Sequence, residues 1–175
     1  MRINVTLRSE RPEDIHDVAS LLDERFPTSA EAELVADLRQ AGRLAVSLVA
    51  EANSQIVGHI AFSPVSASGN AHGAGLGPVC VAEPHRRRGV GGELIRAGLE
   101  ACRQAGYRWC VVLGEPEYYG RFGFEPGEHY GLEDEFGGGV AFQVLAIEPQ
   151  SLPVGAGIVR YCIEFDRFKS PQADP

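Results

Sequence analysis

Several marks of other protein classes are missing from the 175-residue sequence, and each gap excludes something. No apolar run approaches the ~18 residues that a bilayer-spanning helix needs, so no membrane span is expected. Residues 1–30 carry no apolar stretch of the secretory-leader kind, and the expected location is therefore cytoplasmic. The four cysteines (Cys80, Cys102, Cys110, Cys162) include no Cys-x-x-Cys pair, so neither a metal site nor a disulfide framework is expected. They read as buried, reduced thiols. Cys80 has one sharper alternative, an acyl-transfer nucleophile, which needs an activating base. Basic residues are outnumbered, with a formal net charge of −8, and this argues against a nucleic-acid binder held by a broad positive surface. There is no Gly-x-x-x-x-Gly-Lys-Ser/Thr loop and no Gly-x-Gly-x-x-Gly fingerprint, which sets aside the common nucleotide-binding classes. No repeat or compositional break divides the chain. One domain over residues 1–168 with a loose tail at 169–175 is the expectation.

What is present reads as a mixed α/β chain. Ile3–Leu7 predicts a first strand. Ile15, Val18, Ala19, Leu22 and Phe26 recur at helical spacing behind Pro12. Thr28-Ser29-Ala30-Glu31 has the form of a capping box opening a second helix, with Leu34, Val35 and Leu38 on one face. Leu44–Glu51 and Gln55–Ala67 predict a hairpin, Ser68–Gly75 a glycine-rich loop, and Leu76–Ala82 a further strand. A helix follows from about Gly89 to Ala105, with Val90, Leu94, Ile95, Leu99 and Cys102 as its apolar stripe. Trp109–Leu113 is nearly continuous in apolar character, as a strand buried on both faces would be. A short helix through Tyr118 and Tyr119, a polar surface loop over Glu125–Gly139, and strands at Val140–Ile147 and Gly157–Phe165 complete the reading. The last strand has two uses open to it, pairing within the chain or at the edge of a homodimer.

The segment that speaks of function is Gly77–Gly92. A β-branched strand runs into Arg86-Arg87-Arg88, then glycines open a helix. Helix starts leave backbone N–H groups without partners and carry partial positive charge, so they receive anions. Gly89, Gly91 and Gly92 let the backbone approach a phosphate, and the arginines add fixed charge beside it.

Val79-Cys80-Val81 followed by Arg86-x-x-Gly89-x-Gly91 resembles the acetyl-coenzyme A signature of the GNAT superfamily of N-acetyltransferases. Tyr119-Gly120-Arg121-Phe122-Gly123-Phe124 is similar to that superfamily's Tyr-x-x-x-Gly-Phe segment. Ala61-Phe62-Ser63-Pro64-Val65, Leu113-Gly114-Glu115-Pro116 and Ala141-Phe142-Gln143-Val144 resemble its YhbS-like subgroup. Glu83 stands where the superfamily often has Pro, with Pro84 following. The resemblance runs from Ile3 to Phe168. It implies a mixed, mostly antiparallel sheet of about seven strands flanked by about four helices, with the fourth and fifth strands splayed. It also implies acetyl-CoA as co-substrate and direct acetyl transfer to a primary amine of a small molecule or peptide. The implied coenzyme contacts are Val79, Cys80, Val81, Arg86, Arg87, Arg88, Gly89, Val90, Gly91 and Gly92.

The resemblance makes Tyr119 the candidate acid, since a phenol with its ordinary pKa of about 10 stays protonated and can donate to a departing thiolate. Tyr118 is its confounder, because adjacent helical residues point about 100° apart. The base is open among Glu31, Glu33, His72 and Glu115. The acidic residues of Glu125–Glu135 offer a rim for a cationic amine. The alternative function is a non-catalytic acyl-CoA-binding sensor or regulatory module.

Overall fold

The computed structural model describes residues 4–170. In chain order the elements are β1 (Thr6–Ser9), α1 (Ile15–Arg25), α2 (Ala30–Gln40), β2 (Val46–Ala52), β3 (Gln55–Ala67), β4 (Asn70–Val81), α3 (Val90–Gln104), β5 (Trp109–Leu113), α4 (Pro116–Gly120), β6 (Glu125–Pro126), β7 (Leu132–Asp134), β8 (Phe142–Ala146) and β9 (Gly157–Val159), joined in places by short 3-10 turns. Seven strands form one sheet in the order β1-β2-β3-β4-β5-β8-β6. Every ladder in it is antiparallel except β4 with β5. This is the expected mixed sheet with four α-helices.

Period-two alternation divides the core between the two faces. On β5, Cys110 and Val112 pack toward α3 and α4 with Ile60, Phe62, Leu94 and Ile95. Trp109 and Val111 turn to the other face with Leu132, Phe142, Val144 and Val159. Val18, Leu22 and Val35 of α1 and α2 cover the rest of that face, over Val49, Ala61 and Cys80. The continuous apolar run of β5 is thus explained by helices on one side and a strand-rich cap on the other.

One break in the sheet positions the site. The β4–β5 ladder runs only from Gly73–Trp109 to Leu76–Val112, after which β4 continues to Val81 without β5 beside it. At the same place Ile60 faces Val79 and Phe62 faces Leu76, so Gly77 and Pro78 form a bulge opposite Ala61. Pro78 has no N–H, so it strands no donor where the ladder ends. Parallel strands require a crossover, and α3 provides it. The N-terminus of α3 therefore lies at the end of β4, at the mouth of the opening.

Several expectations are corrected. The first strand starts at Thr6, and Ile3 lies outside the described residues. Ile15 is only partly covered, at 39% exposure, and Leu21 is buried in the core. Helix α2 starts one residue later than a Thr28 cap requires. Ser29 is its cap residue and makes no side-chain capping bond, while Thr28 Oγ1 accepts only from the Ala30 N–H at 3.3 Å. Ser68–Gly75 is mostly strand. Gly73 is there because a Cβ would meet the Trp109 ring at 2.5 Å, and that ring's Nε1 donates to Asn70 Oδ1 at 3.0 Å. Glu125–Gly139 is a folded excursion with Leu132 and Asp134 buried, and Gly127 abuts Phe142. The last strand is only Gly157–Val159 and pairs in parallel with β7 inside the chain. Ile163–Phe168 is a 3-10 turn. Lys169 is tied to Glu135 at 3.2 Å and Asp166 at 2.6 Å, and residues 171–175 of the expected tail lie outside the described residues.

Gly73→Ala is expected to destabilise the fold by about 1–3 kcal/mol through overpacking against Trp109. Gly120→Ala, where a Cβ meets nothing within 4 Å, should change stability by less than about 0.5 kcal/mol. Urea denaturation of both checks this, and equal midpoints would contradict it.

Candidate active site

The opened edge of β4 and the start of α3 enclose a groove of about 760 Å³. Val79, Cys80, Val81, Arg86, Arg87, Gly89, Gly91 and Gly92 all line it. Two residues from the predicted set do not. Val90 is buried in the core beneath α3, and Arg88 is exposed away from the groove. The Ala82 N–H donates to Val57 O on β3 at 2.8 Å. By strand alternation Cys80 turns its backbone the same way, and Val79 and Val81 turn theirs toward the opening.

At the other end of the groove the first intrahelical bond of α3 runs from the Glu93 N–H to Gly89 O at 3.0 Å. The N–H groups of Val90, Gly91 and Gly92 therefore precede the helical ladder, and no side chain caps them. Gly89 sits at φ 87° in the left-handed region, which glycine enters without cost. A Cβ on Gly91 would lie 3.1 Å from the Tyr118 hydroxyl and fill the cradle. The turn before it is intact despite Glu83, with Pro84 inside the 3-10 turn Glu83–His85.

The groove is basic in an acidic chain. Arg86 and Arg87 are joined there by Arg25, Arg96 and Arg121, three residues that sequence reasoning missed. Arg25 Nη1 donates to Glu83 Oε2 at 2.6 Å, Arg96 lies 5.0 Å from the Phe122 ring centre, and Arg121 lies 4.5 Å from that of Tyr118. These cation–π contacts hold guanidinium groups at the rim while leaving donors free. The arginines arrive from α1, α3 and the turn after α4, so no contiguous motif announces them.

Tyr118 and Tyr119 divide as helix geometry requires. Their rings meet edge-on at 90° with centres 5.0 Å apart. Tyr118 lines the basic groove, whereas Tyr119 lines a second cavity of about 430 Å³ on the far side of the opening. Val79 and Phe26 line both chambers. Tyr119 is wedged against Gly114, where a Cβ would meet its ring at 2.3 Å, and edge-on to Phe124 with centres 5.9 Å apart. Burial pushes its phenol up to about 12, so it stays protonated and able to donate through the neutral range.

Of the four candidate bases, Glu31 alone lines either chamber. Its Oε2 is buried without a hydrogen-bond partner. Glu33 is exposed and pairs with Arg167 at 3.2 Å. His72 is exposed beside Arg108 and Gln150, at a separate hollow. Glu115 is exposed, and its backbone carbonyl accepts from Tyr118 and Tyr119 N–H groups at the start of α4. The acidic stretch forms no rim to either chamber. Glu125 accepts from the Tyr130 hydroxyl, Asp134 accepts from the Phe136 and Gly138 N–H groups, and Glu135 accepts from the Tyr161 N–H.

Cys80 packs against α1 and α2, and burial pushes its thiol up to about 12. At pH 8 the thiolate fraction is then about one in ten thousand, and nucleophilic use of this sulfur is disfavoured. Native protein at pH 8 is expected to take up iodoacetamide at Cys80 far more slowly than unfolded protein, as read by mass spectrometry. Rapid native labelling would contradict the buried-thiol assignment.

The family model for the acetyltransferase (GNAT) domain matches residues 6–127. The uncharacterised N-acetyltransferase YhbS of Escherichia coli K12 is 38% identical over 165 residues, covering 93% of this chain and 99% of that protein. The crystal structure of E. coli YhbS in complex with CoA superposes with a TM-score of 0.91 at 37% identity, covering 95% of this chain and 94% of that one. A Brucella melitensis GNAT family acetyltransferase in complex with acetyl-CoA superposes with a TM-score of 0.78 at 39% identity, covering 93% and 99%. With the splayed sheet, the uncapped start of α3 and these likenesses together, the chain belongs to the GNAT family of N-acetyltransferases.

Proposed function

We propose that this protein transfers the acetyl group of acetyl-CoA directly to a primary amine. The observation that carries the reading is the continuity of the opened β4 edge with the uncapped N-terminus of α3. One element offers main-chain groups to an extended arm, the other offers main-chain donors to a diphosphate. Two relatives of closely similar structure hold CoA and acetyl-CoA, which supports the same ligand here.

Acetyl-CoA supplies an activated thioester. The chain's residues then do the rest. The N–H groups of Val90–Gly92 and the surrounding arginines hold the diphosphate. Single contacts of this kind contribute about 0.3–1 kcal/mol, so no one arginine is indispensable. A backbone N–H of Val79 or Val81, facing the opening, bonds the acetyl carbonyl and stabilises the charge that grows on its oxygen. The amine lone pair forms the N–C bond as the C–S bond breaks. Tyr119 gives its phenolic proton to the departing sulfur and regains one from the acylated nitrogen.

Gly91→Val is expected to abolish CoA binding in calorimetry while moving the thermal midpoint by no more than about 3 °C. Tyr119→Phe should bind CoA normally and lose about 100-fold in turnover. Tyr119→Phe with full thiol release would reject the acid role. CoA binding without thiol release across a broad amine panel would favour the sensor reading.

A further inference from the structure

We infer that the amine acceptor is a small arylalkylamine, its ring held in the cavity beyond Tyr119 and its ammonium group on Glu31. This rests on the coenzyme groove being read as above, because Val79 and Phe26 line both chambers.

The cavity of about 430 Å³ has the size of a small-molecule site. Its walls are Leu34, Leu76, Val112 and a set of aromatic rings. Those rings touch in series. Phe136 meets Tyr161 with centres 5.3 Å apart, Tyr161 meets Phe165 at 5.2 Å, and Phe165 meets Phe168 at 6.4 Å. A ligand ring extends that run of tilted and edge-on contacts, which an unbranched polyamine cannot do.

Glu31 is the one charged side chain among the residues lining this cavity. A buried carboxylate oxygen without a donor is costly, and native structures rarely leave one unless a ligand or water completes it. An ammonium group completes it, and the aromatic faces beside it favour the same cation. Neighbouring acids on α2 are already occupied, since Arg167 engages both Glu33 and Asp37. One carboxylate matches one ammonium. A second or third positive charge on the ligand would find no further carboxylate among the residues lining the cavity. The Glu31 carboxylate takes one proton from the ammonium, leaving a neutral amine with its lone pair free, and later releases that proton to solvent.

The test measures thiol release from acetyl-CoA with 2-phenylethylamine, spermidine and an alanine tripeptide, for the parent protein and for Glu31→Gln and Glu31→Asp. Calorimetry with CoA accompanies each variant. The expected kcat/KM for 2-phenylethylamine exceeds that of the other two amines by about tenfold or more. Glu31→Gln should lose about 100-fold in that kcat/KM with CoA affinity unchanged, and Glu31→Asp should recover part of it. Absence of any heat with CoA defeats the transferase reading itself. Normal CoA binding with preference for spermidine or the peptide, or with no turnover of 2-phenylethylamine, overturns the aromatic acceptor alone. Unchanged kcat/KM in Glu31→Gln overturns the role of Glu31.

Discussion

The parting of β4 from β5 beyond Leu76 and Val112 is the constraint on which the rest of the molecule depends. A sheet interior normally closes all its hydrogen bonds, and an open edge inside one is expensive unless something completes it. Here β3 holds one side of β4, while β5 pairs with the other side only as far as Leu76, so the edge beyond is open. The bulge at Gly77 and Pro78 removes one donor from that edge, and Val79 and Val81 keep theirs. The crossover through α3 delivers a helix start whose first N–H groups have no partners. Two incomplete sets of main-chain donors thus lie along one groove.

Side chains then give the two halves of the opening opposite character. Arginines from α1, the turn before α3, α3 itself and the turn after α4 make the groove side positive, although the chain as a whole carries a net charge of −8. The far side is aromatic, with one carboxylate. Val79 and Phe26 line both sides, and Tyr119 lines the far one. Burial keeps the Tyr119 phenol protonated, and the backbone of Val79 needs no side-chain chemistry to polarise a carbonyl. Cys80 packs against α1 and α2, and burial favours the neutral form of its thiol.

What was legible in the sequence was local. The segment Arg86–Gly92 is contiguous, and the role proposed for it follows from helix-terminus physics, although Arg88 and Val90 do not line the groove. The apolar run Trp109–Leu113 and the stripe of α3 likewise carry their periodicity on the surface of the text. Gly73 and Gly75 read as loop residues because the reason for them lies elsewhere, in the Trp109 and Tyr161 rings that occupy the space of a side chain. Glu125–Gly139 reads as solvated because Asp134 and Glu135 bond backbone groups within the fold, which composition does not reveal. Glu31 reads as half of a capping box, yet α2 has Ser29 as its cap residue and Glu31 lines the cavity instead. Phe26, Phe136 and Phe165 come from three distant segments, so no spacing rule brings the second cavity together.

The most direct test of the account is amide hydrogen exchange at Val79, Val81 and Val90–Gly92, read residue by residue with and without saturating CoA. The account predicts that these amides slow together on CoA addition, while amides of the β1–β2 ladder do not change. Confirmed CoA binding that leaves both groups exchanging at their original rates would contradict it.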